Sequence, residues 1–386
     1  MKKFLMMVMM CLLVMVTGCS SNPKTNEIVN EEPEVLEEVE KEEHPVEEVA
    51  DDIEEVSINI LVPSGSTAMA MAHLASELPE LDEGVKCIVE PYVQGSDPLL
   101  AAFTSETANV IVAPTNLGAT LYQKGVPYQL AATIVWGNLY LISSEPMTIE
   151  ELSGKTITAF GQGSTPDIVL QTVLKEKGLL DSVEIEYLNS VTDVQSMFAA
   201  GEIEIAVIAE PSLSVLKTKV ENANLVADFQ EEWRTLYDVT SYPQASLFVH
   251  SDLIENNPGV VESLLAQVAA SVNFANESPN EMAIEANATG LETPEAIIAA
   301  SVPNSHLIFK TAKEAQDEIN LYLEKLYEFD SKTIGGALPD DDFYYLENDK
   351  YKQVYASQLS DANMSFFQKN IMFNEAVYYL DKIPYI

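Results

Sequence analysis

From residue 57 onward the chain repeats one unit: a short β-branched or apolar run, a turn rich in Ser, Gly, Pro or Asp, then a stretch of helical periodicity. Residues 57–62 lead through Pro63-Ser64-Gly65-Ser66-Thr67 into a helical stretch at 68–77. A strand centred on Cys87 precedes a helix at 98–105, and a strand at 109–113 precedes a helix at 117–124. Strands then read at 128–135 and 139–143, around Gly137-Asn138. After Ser144-Glu145-Pro146 come strands at 155–159, 184–188, 204–208 and 225–227, with helices at 168–177, 194–200 and 213–220 between them. Residues 245–250 return to a β pattern, and the remainder is almost all helical, at 251–276, 294–301 and 311–329. Strands alternating with helices call for a mainly parallel sheet covered on both faces.

Two such series joined by crossings near 143–147 and 240–245 predict an α/β chain of two lobes. Residues 57–144 with 245–386 would form the first and 145–244 the second. Open α/β sheets bind ligands beyond the carboxyl ends of their strands. In this chain Ser64-Gly65-Ser66-Thr67, Gly95-Ser96-Asp97-Pro98, Pro114-Thr115-Asn116, Gly163-Ser164-Thr165-Pro166 and Glu210-Pro211 all stand there, where helices start. Ser, Thr and Asp satisfy the free N–H groups of a helix start, and Pro suits its first turn. Singly each reads as a cap; five on the same side of two sheets predict a shared cleft. Gly161-Gln162-Gly163 opens like a dinucleotide fingerprint, but Pro166 stands where the third glycine belongs, so that reading is set aside.

Charge narrows the partners. The chain holds 61 Asp and Glu against 20 Lys and Arg, a net −41, which excludes a nucleic-acid binder because counterion release needs a basic surface. Arg234 is the sole arginine, so a cluster of guanidinium forks for a carboxylate or phosphate is ruled out. The 3 cysteines, at 11, 19 and 87, exclude a disulfide scaffold. Cys87 lies in an apolar strand and reads as a buried thiol. His44, His73, His250 and His306 are scattered without metal-ligand spacing, so neither a metal nor a cofactor is expected.

Lys2 and Lys3 precede an apolar run at 4–16 that meets Thr17-Gly18-Cys19. A basic start followed by about a dozen apolar residues is a secretory signal, too short for a stable span. Val16-Thr17-Gly18-Cys19 resembles the bacterial lipobox, which implies a signal peptide at 1–18 and lipidation of Cys19, with acyl chains such as palmitate holding the extracytoplasmic chain to the cell membrane. Residues 27–55 then carry fifteen Asp or Glu and one Lys, with no aromatic and no glycine. Such a run self-repels, so 19–56 is expected to be an acidic, disordered tether.

Three passages carry a wider resemblance. They are Gly95-Ser96-Asp97-Pro98-Leu99-Leu100-Ala101-Ala102-Phe103 leading to 108–116, Ile149-Glu150-Glu151-Leu152-Ser153-Gly154-Lys155 followed by Phe160-Gly161-Gln162-Gly163-Ser164-Thr165, and 201–211 ending in Glu210-Pro211. The chain resembles type II periplasmic-binding-protein folds, the solute-binding components of ABC importers, in the branch of nitrate, sulfonate, taurine and thiamine-pyrimidine-precursor binders. The resemblance implies a monomer that captures a small molecule between its lobes and is recognised by permease subunits, without catalysis. Carried over by position, it implies contacts from Ser64, Gly65, Ser66, Thr67, Ser96, Thr115 and Asn116 in the first lobe and Gly163, Ser164, Thr165 and Glu210 in the second. Trp136, Asn138, Tyr242 and Gln244 would stand near the crossings. Helix N-termini could hold an anion; the acidic field and Glu210 favour a neutral or cationic heterocycle stacked on Trp136 or Tyr242. A ligand-sensing lipoprotein and an enzyme on the same scaffold stay open as alternatives. In Pro339-Asp340-Asp341-Asp342-Phe343-Tyr344-Tyr345 the three aromatics are expected to dock on the first lobe, with amphipathic helices at 321–327 and 366–379.

Overall fold

The computed structural model describes residues 56–346 apart from Ser96. The signal peptide, Cys19, the acidic tether, Ser96 and the helix expected at 366–379 lie outside the described residues. The order begins β1 (Val56–Leu61), α1 (Ser66–Glu77), β2 (Glu80–Asp82), β3 (Val85–Val89), α2 (Asp97–Ser105), β4 (Val110–Pro114), α3 (Thr115–Tyr122), β5 (Tyr128–Trp136) and β6 (Leu139–Ser143). It continues with β7 (Thr156–Phe160), α4 (Thr165–Glu176), β8 (Glu184–Leu188), α5 (Val191–Ala200), β9 (Ile205–Ala209), α6 (Ser212–Lys217), β10 (Asn224–Asp228) and α7 (Phe229–Tyr237). Last come β11 (Pro243–His250), α8 (Ser251–Asn256), α9 (Pro258–Glu277), α10 (Pro279–Ala288), α11 (Glu295–Ser305), β12 (Leu307–Thr311) and α12 (Ala312–Phe329).

The strands form two sheets: seven strands in the order β12-β5-β11-β4-β1-β3-β2, and five in the order β10-β6-β9-β7-β8. In each, the strands fed by βα units lie side by side and parallel, β3-β1-β4 in the first and β8-β7-β9 in the second. The crossing and return strands complete the sheets antiparallel, β6 beside β9 and β11 between β4 and β5. The first crossing falls at Gly137-Asn138, before β6, because β6 pairs with β9 and β10 in the five-stranded sheet. β12 interrupts the helical C-terminal region by pairing with β5, and Asn257-Pro258 divides the expected helix at 251–276 into α8 and α9.

Strand alternation sorts the core, since successive side chains face opposite sides of a sheet. Ile58, Ile60, Val110, Val112, Leu247 and Val249 pack with Met69, Leu74, Val261, Leu265 and Val268 of α1 and α9. Their neighbours Leu61, Ile111, Ala113 and Phe248 face a second cluster, which also takes Leu139, Leu141, Ile157, Ile205 and Val207 of the five-stranded sheet and Ile168, Trp233, Ile319 and Tyr322 of α4, α7 and α12. One apolar body thus lies under both sheets. A third cluster joins Tyr140, Ile142, Ala206 and Ile208 to α5 and α6. At Gly118 of α3 a Cβ would lie 2.0 Å from the Phe248 ring, so the helix approaches the sheet closely there. The expected docking of the aromatic segment is seen: Phe343, Tyr344 and Tyr345 are buried, Tyr345 N–H donates to Leu130 O at 2.9 Å, and the Tyr345 hydroxyl donates to Glu262 Oε1 at 2.6 Å.

Candidate ligand site between the two sheets

The chain leaves the seven-stranded sheet at Trp136, enters the five-stranded one at Leu139, and comes back through Ser241-Tyr242. These passages bind each other. Gly137 N–H donates to Tyr242 O at 3.1 Å, and His306 Nδ1 donates to the Gly137 carbonyl. A Cβ at Gly137 would sit 2.8 Å from the Tyr242 ring and 3.0 Å from Ser241 Oγ.

Beside the crossing, the start of α1 meets the turn before α6. Ser66 Oγ donates to the Glu210 carbonyl at 3.1 Å and accepts from Asn138 Nδ2 at 2.9 Å. Glu210 N–H donates to Asn138 O at 3.2 Å. Gly65 makes this possible with φ 95, in the left-handed region where a Cβ is strained. Thr67 turns back to Pro63 O, 2.6 Å away, and Ser64 N–H donates to Val93 O at 2.9 Å. The Glu210 carboxylate accepts from Ser214 N–H and Ser214 Oγ, both at 3.0 Å, and from Asn304 Nδ2 at 3.4 Å. Burial raises its pKa, against these hydrogen bonds.

A second junction links the starts of α3 and α4. Thr165 Oγ1 donates to Asn116 Oδ1 at 3.1 Å and lies 3.0 Å from the Tyr322 hydroxyl, which supplies the second proton. Asn116 Nδ2 reaches Thr333 O at 3.3 Å. Gly163, at φ 74, gives its N–H to Asp167 Oδ2 at 2.8 Å, and Ser164 Oγ donates to Gly161 O at 2.6 Å. The α4 and α6 N-termini therefore already face protein carboxylates, those of Asp167 and Glu210, and the positive end of each helix is answered from within.

Thr115 stands one residue from Asn116 but serves the sheet: it lies 2.8 Å from Ser246 Oγ, which is 2.9 Å from Thr133 Oγ1, all fully buried. Trp136 is held at the β12 edge, where Nε1 donates to Ile308 O at 3.0 Å and Lys310 Nζ sits 4.6 Å from the ring centre. Tyr242 forms a triangle of rings with Trp233, 5.4 Å away, and Tyr322, 6.3 Å away and nearly parallel, which are themselves 5.9 Å apart. Among the described residues, Asn138 Oδ1, Ser241 Oγ, the Tyr242 hydroxyl and Gln244 Oε1 are buried without a hydrogen-bond partner. Asn138, Ser241 and Tyr242 stand on the two crossings, and Gln244 is the second residue of β11. Sequence reasoning missed Tyr322, Asn304, Ser241, His306 and Asp228. The last caps α7 by accepting from Gln230 N–H at 2.9 Å, and burial raises its pKa.

The NMT1/THI5-like family model matches residues 82–282, more than half of the chain. The chain belongs to the NMT1/THI5-like family. Its fold is that of the type II periplasmic binding proteins. An ABC transporter structure from Parabacteroides distasonis is 24% identical, with 76% of this chain and 99% of that one covered at a TM-score of 0.67. The periplasmic aliphatic sulphonate binding protein SsuA from Escherichia coli is 16% identical, with 75% and 92% covered and a TM-score of 0.62. The desulfurization enzyme DSZB is 14% identical, with 78% of this chain and 99% of that one covered at a TM-score of 0.53. Comparison with curated protein sequences finds no match.

Proposed function

We propose that this chain is the lipid-anchored, extracytoplasmic solute-binding component of an ABC importer. It captures a small organic molecule at the two crossings and presents it to permease subunits. The observation that carries the reading is a pair of side-chain junctions, Ser66–Asn138–Glu210 and Asn116–Thr165, each joining the two sheets, with four buried polar atoms without partners at or next to the crossings. Leaving such an atom unpaired costs about 1–3 kcal/mol, so a set of them on one path is a place where a ligand is rewarded. Closing two lobes on a solute takes differential binding of about 5 kcal/mol, and contacts made to both at once supply it.

The electrostatics favour a neutral or cationic ligand carrying N–H groups. Two of the four unpaired atoms are amide oxygens, which accept. Of the nearby carboxylates Glu210 is buried and Asp228 half-buried, and Arg234 is exposed and paired with Glu231 on α7. Tyr242 supplies an aromatic face. Binding without turnover is supported by Cys87, a buried strand thiol that burial pushes up to about 11, far from a thiolate.

Isothermal titration against aminopyrimidines, polyamines and alkanesulfonates tests the reading. Tight binding of an N–H-bearing compound, recovered unchanged, is expected. Binding of sulfonates alone would overturn the ligand class, and consumption of the compound would overturn the non-catalytic role. Mass spectrometry of the membrane-extracted chain should find the acyl chains on Cys19.

A further inference from the structure

A second constellation lies on the helices packed behind the seven-stranded sheet. His73 and Glu77 are four residues apart on α1 and so share one face of it. Glu285 reaches them from α10, with its carboxylate oxygens 3.1 and 3.2 Å from His73 Nδ1. One ligand atom from each of the three residues lies within 4.8 Å of the other two. The His73 ring is stacked on Phe274 of α9, with centroids 4.1 Å apart and planes at 20°, which fixes its orientation. The His73 and Glu285 side chains are 18% and 20% exposed, so the group is reachable from solvent yet held in place.

We propose that His73, Glu77 and Glu285 bind one divalent transition-metal cation, with Zn2+ the natural occupant by ligand chemistry. Zn2+ takes imidazole nitrogen and carboxylate oxygen at about 2.0–2.2 Å in tetrahedral array, which spaces neighbouring ligand atoms by roughly 3.4 Å. The His73–Glu285 separation of 3.1 Å is close to that already, and the exposed Glu77 side chain has freedom to complete the set. A His–Glu ion pair accounts for two of these residues but not for a second carboxylate beside the same imidazole. Neutral imidazole with two carboxylates carries −2, which a divalent ion balances. The nitrogen ligand disfavours Ca2+ and Mg2+, which prefer all-oxygen sites. Three protein ligands leave one tetrahedral position for water. Bound there, the cation clips α1 to α10. Glu285 is 212 residues from His73, so the spacing of histidines along the sequence gave no sign of the site.

The test is titration of the full chain with ZnCl2, alongside E77Q and H73Q. E77Q leaves the His73–Glu285 bond in place and alters an exposed side chain, so the fold is kept, as circular dichroism will verify. One Zn2+ per chain is expected, weakened about tenfold or more in each variant, since even outer partners of metal ligands cost that much. Weak cation binding by the acidic residues at 27–55 is common to all three chains and cancels. Co2+ should give the visible absorption of a tetrahedral site in wild type and lose it in H73Q. Equal Zn2+ affinity in wild type and either variant, or an octahedral Co2+ spectrum, would overturn the proposal.

Discussion

Thr165, at the start of α4, gives its hydroxyl proton to Asn116, at the start of α3, over 3.1 Å, so the helix starts of the two sheets are tied side chain to side chain. The Tyr322 hydroxyl completes the junction from α12 at 3.0 Å. Together with Ser66 and Glu210, this bond sets how the two sheets meet.

Replacing Thr165 by Val keeps the shape and removes the hydroxyl, leaving Asn116 Oδ1 and the Tyr322 hydroxyl without that partner. A buried orphan costs about 1–3 kcal/mol, and the urea midpoint should fall accordingly at unchanged slope. An unmoved midpoint would show that the bond contributes nothing net.

Glu210 gives a pH signature. Burial raises its pKa above the ordinary glutamate value of 4.5, so the folded chain holds this proton to higher pH than the unfolded one. Its contribution to stability is present below that ordinary value and is lost as pH rises through the raised folded value. Glu210→Gln removes the titration, so the stability of the variant relative to wild type should climb as pH rises from about 4.5. Thermal unfolding over a pH series reads this out, and two parallel curves would contradict it.

Gly118→Ala would drive a methyl group into the Phe248 ring. Overpacking of this kind costs about 1–3 kcal/mol. The companion Gly259→Ala, in α9 with nothing within 4 Å, should be neutral or stabilising by up to about 1 kcal/mol. Denaturant titration of the pair tests the packing argument, which fails if both changes have the same sign.

Cys87 should resist thiol reagents. Its pKa is pushed up to about 11 by burial, and its Sγ–H donates to Pro79 O at 3.4 Å. At pH 8 the native chain should modify slowly at Cys87 by peptide mass and rapidly in urea. Equal rates would mean that β3 opens freely.

Much of this architecture was legible because strands, caps and helices announce themselves locally. Ser66, Asn116, Asn138, Thr165 and Glu210 could be named from their positions at helix starts and at the crossing. What stayed hidden depends on partners far along the chain. The unbroken apolar run Leu139-Tyr140-Leu141-Ile142 says that β6 is covered on both faces, but not which sheet takes it, so the sequence alone puts the crossing after the strand. β12 follows a helix containing Pro303 and owes its extended form to pairing with β5. Tyr322 and Asn304 sit on helices whose own patterns speak only of packing. Thr115 shows the limit of motif reading at one-residue resolution: it faces the hydroxyls of Ser246 and Thr133 while its neighbour Asn116 meets Thr165.

The apolar body under both sheets has a further consequence. Leu61 and Phe248 on one side and Ile157 and Val207 on the other are joined in it, so neither half possesses an interior of its own along that flank. Cutting the chain at the crossings would leave each fragment with a raw oily wall, prone to clumping. In a calorimeter the intact protein should give a single melting peak, with the two halves surrendering their order together.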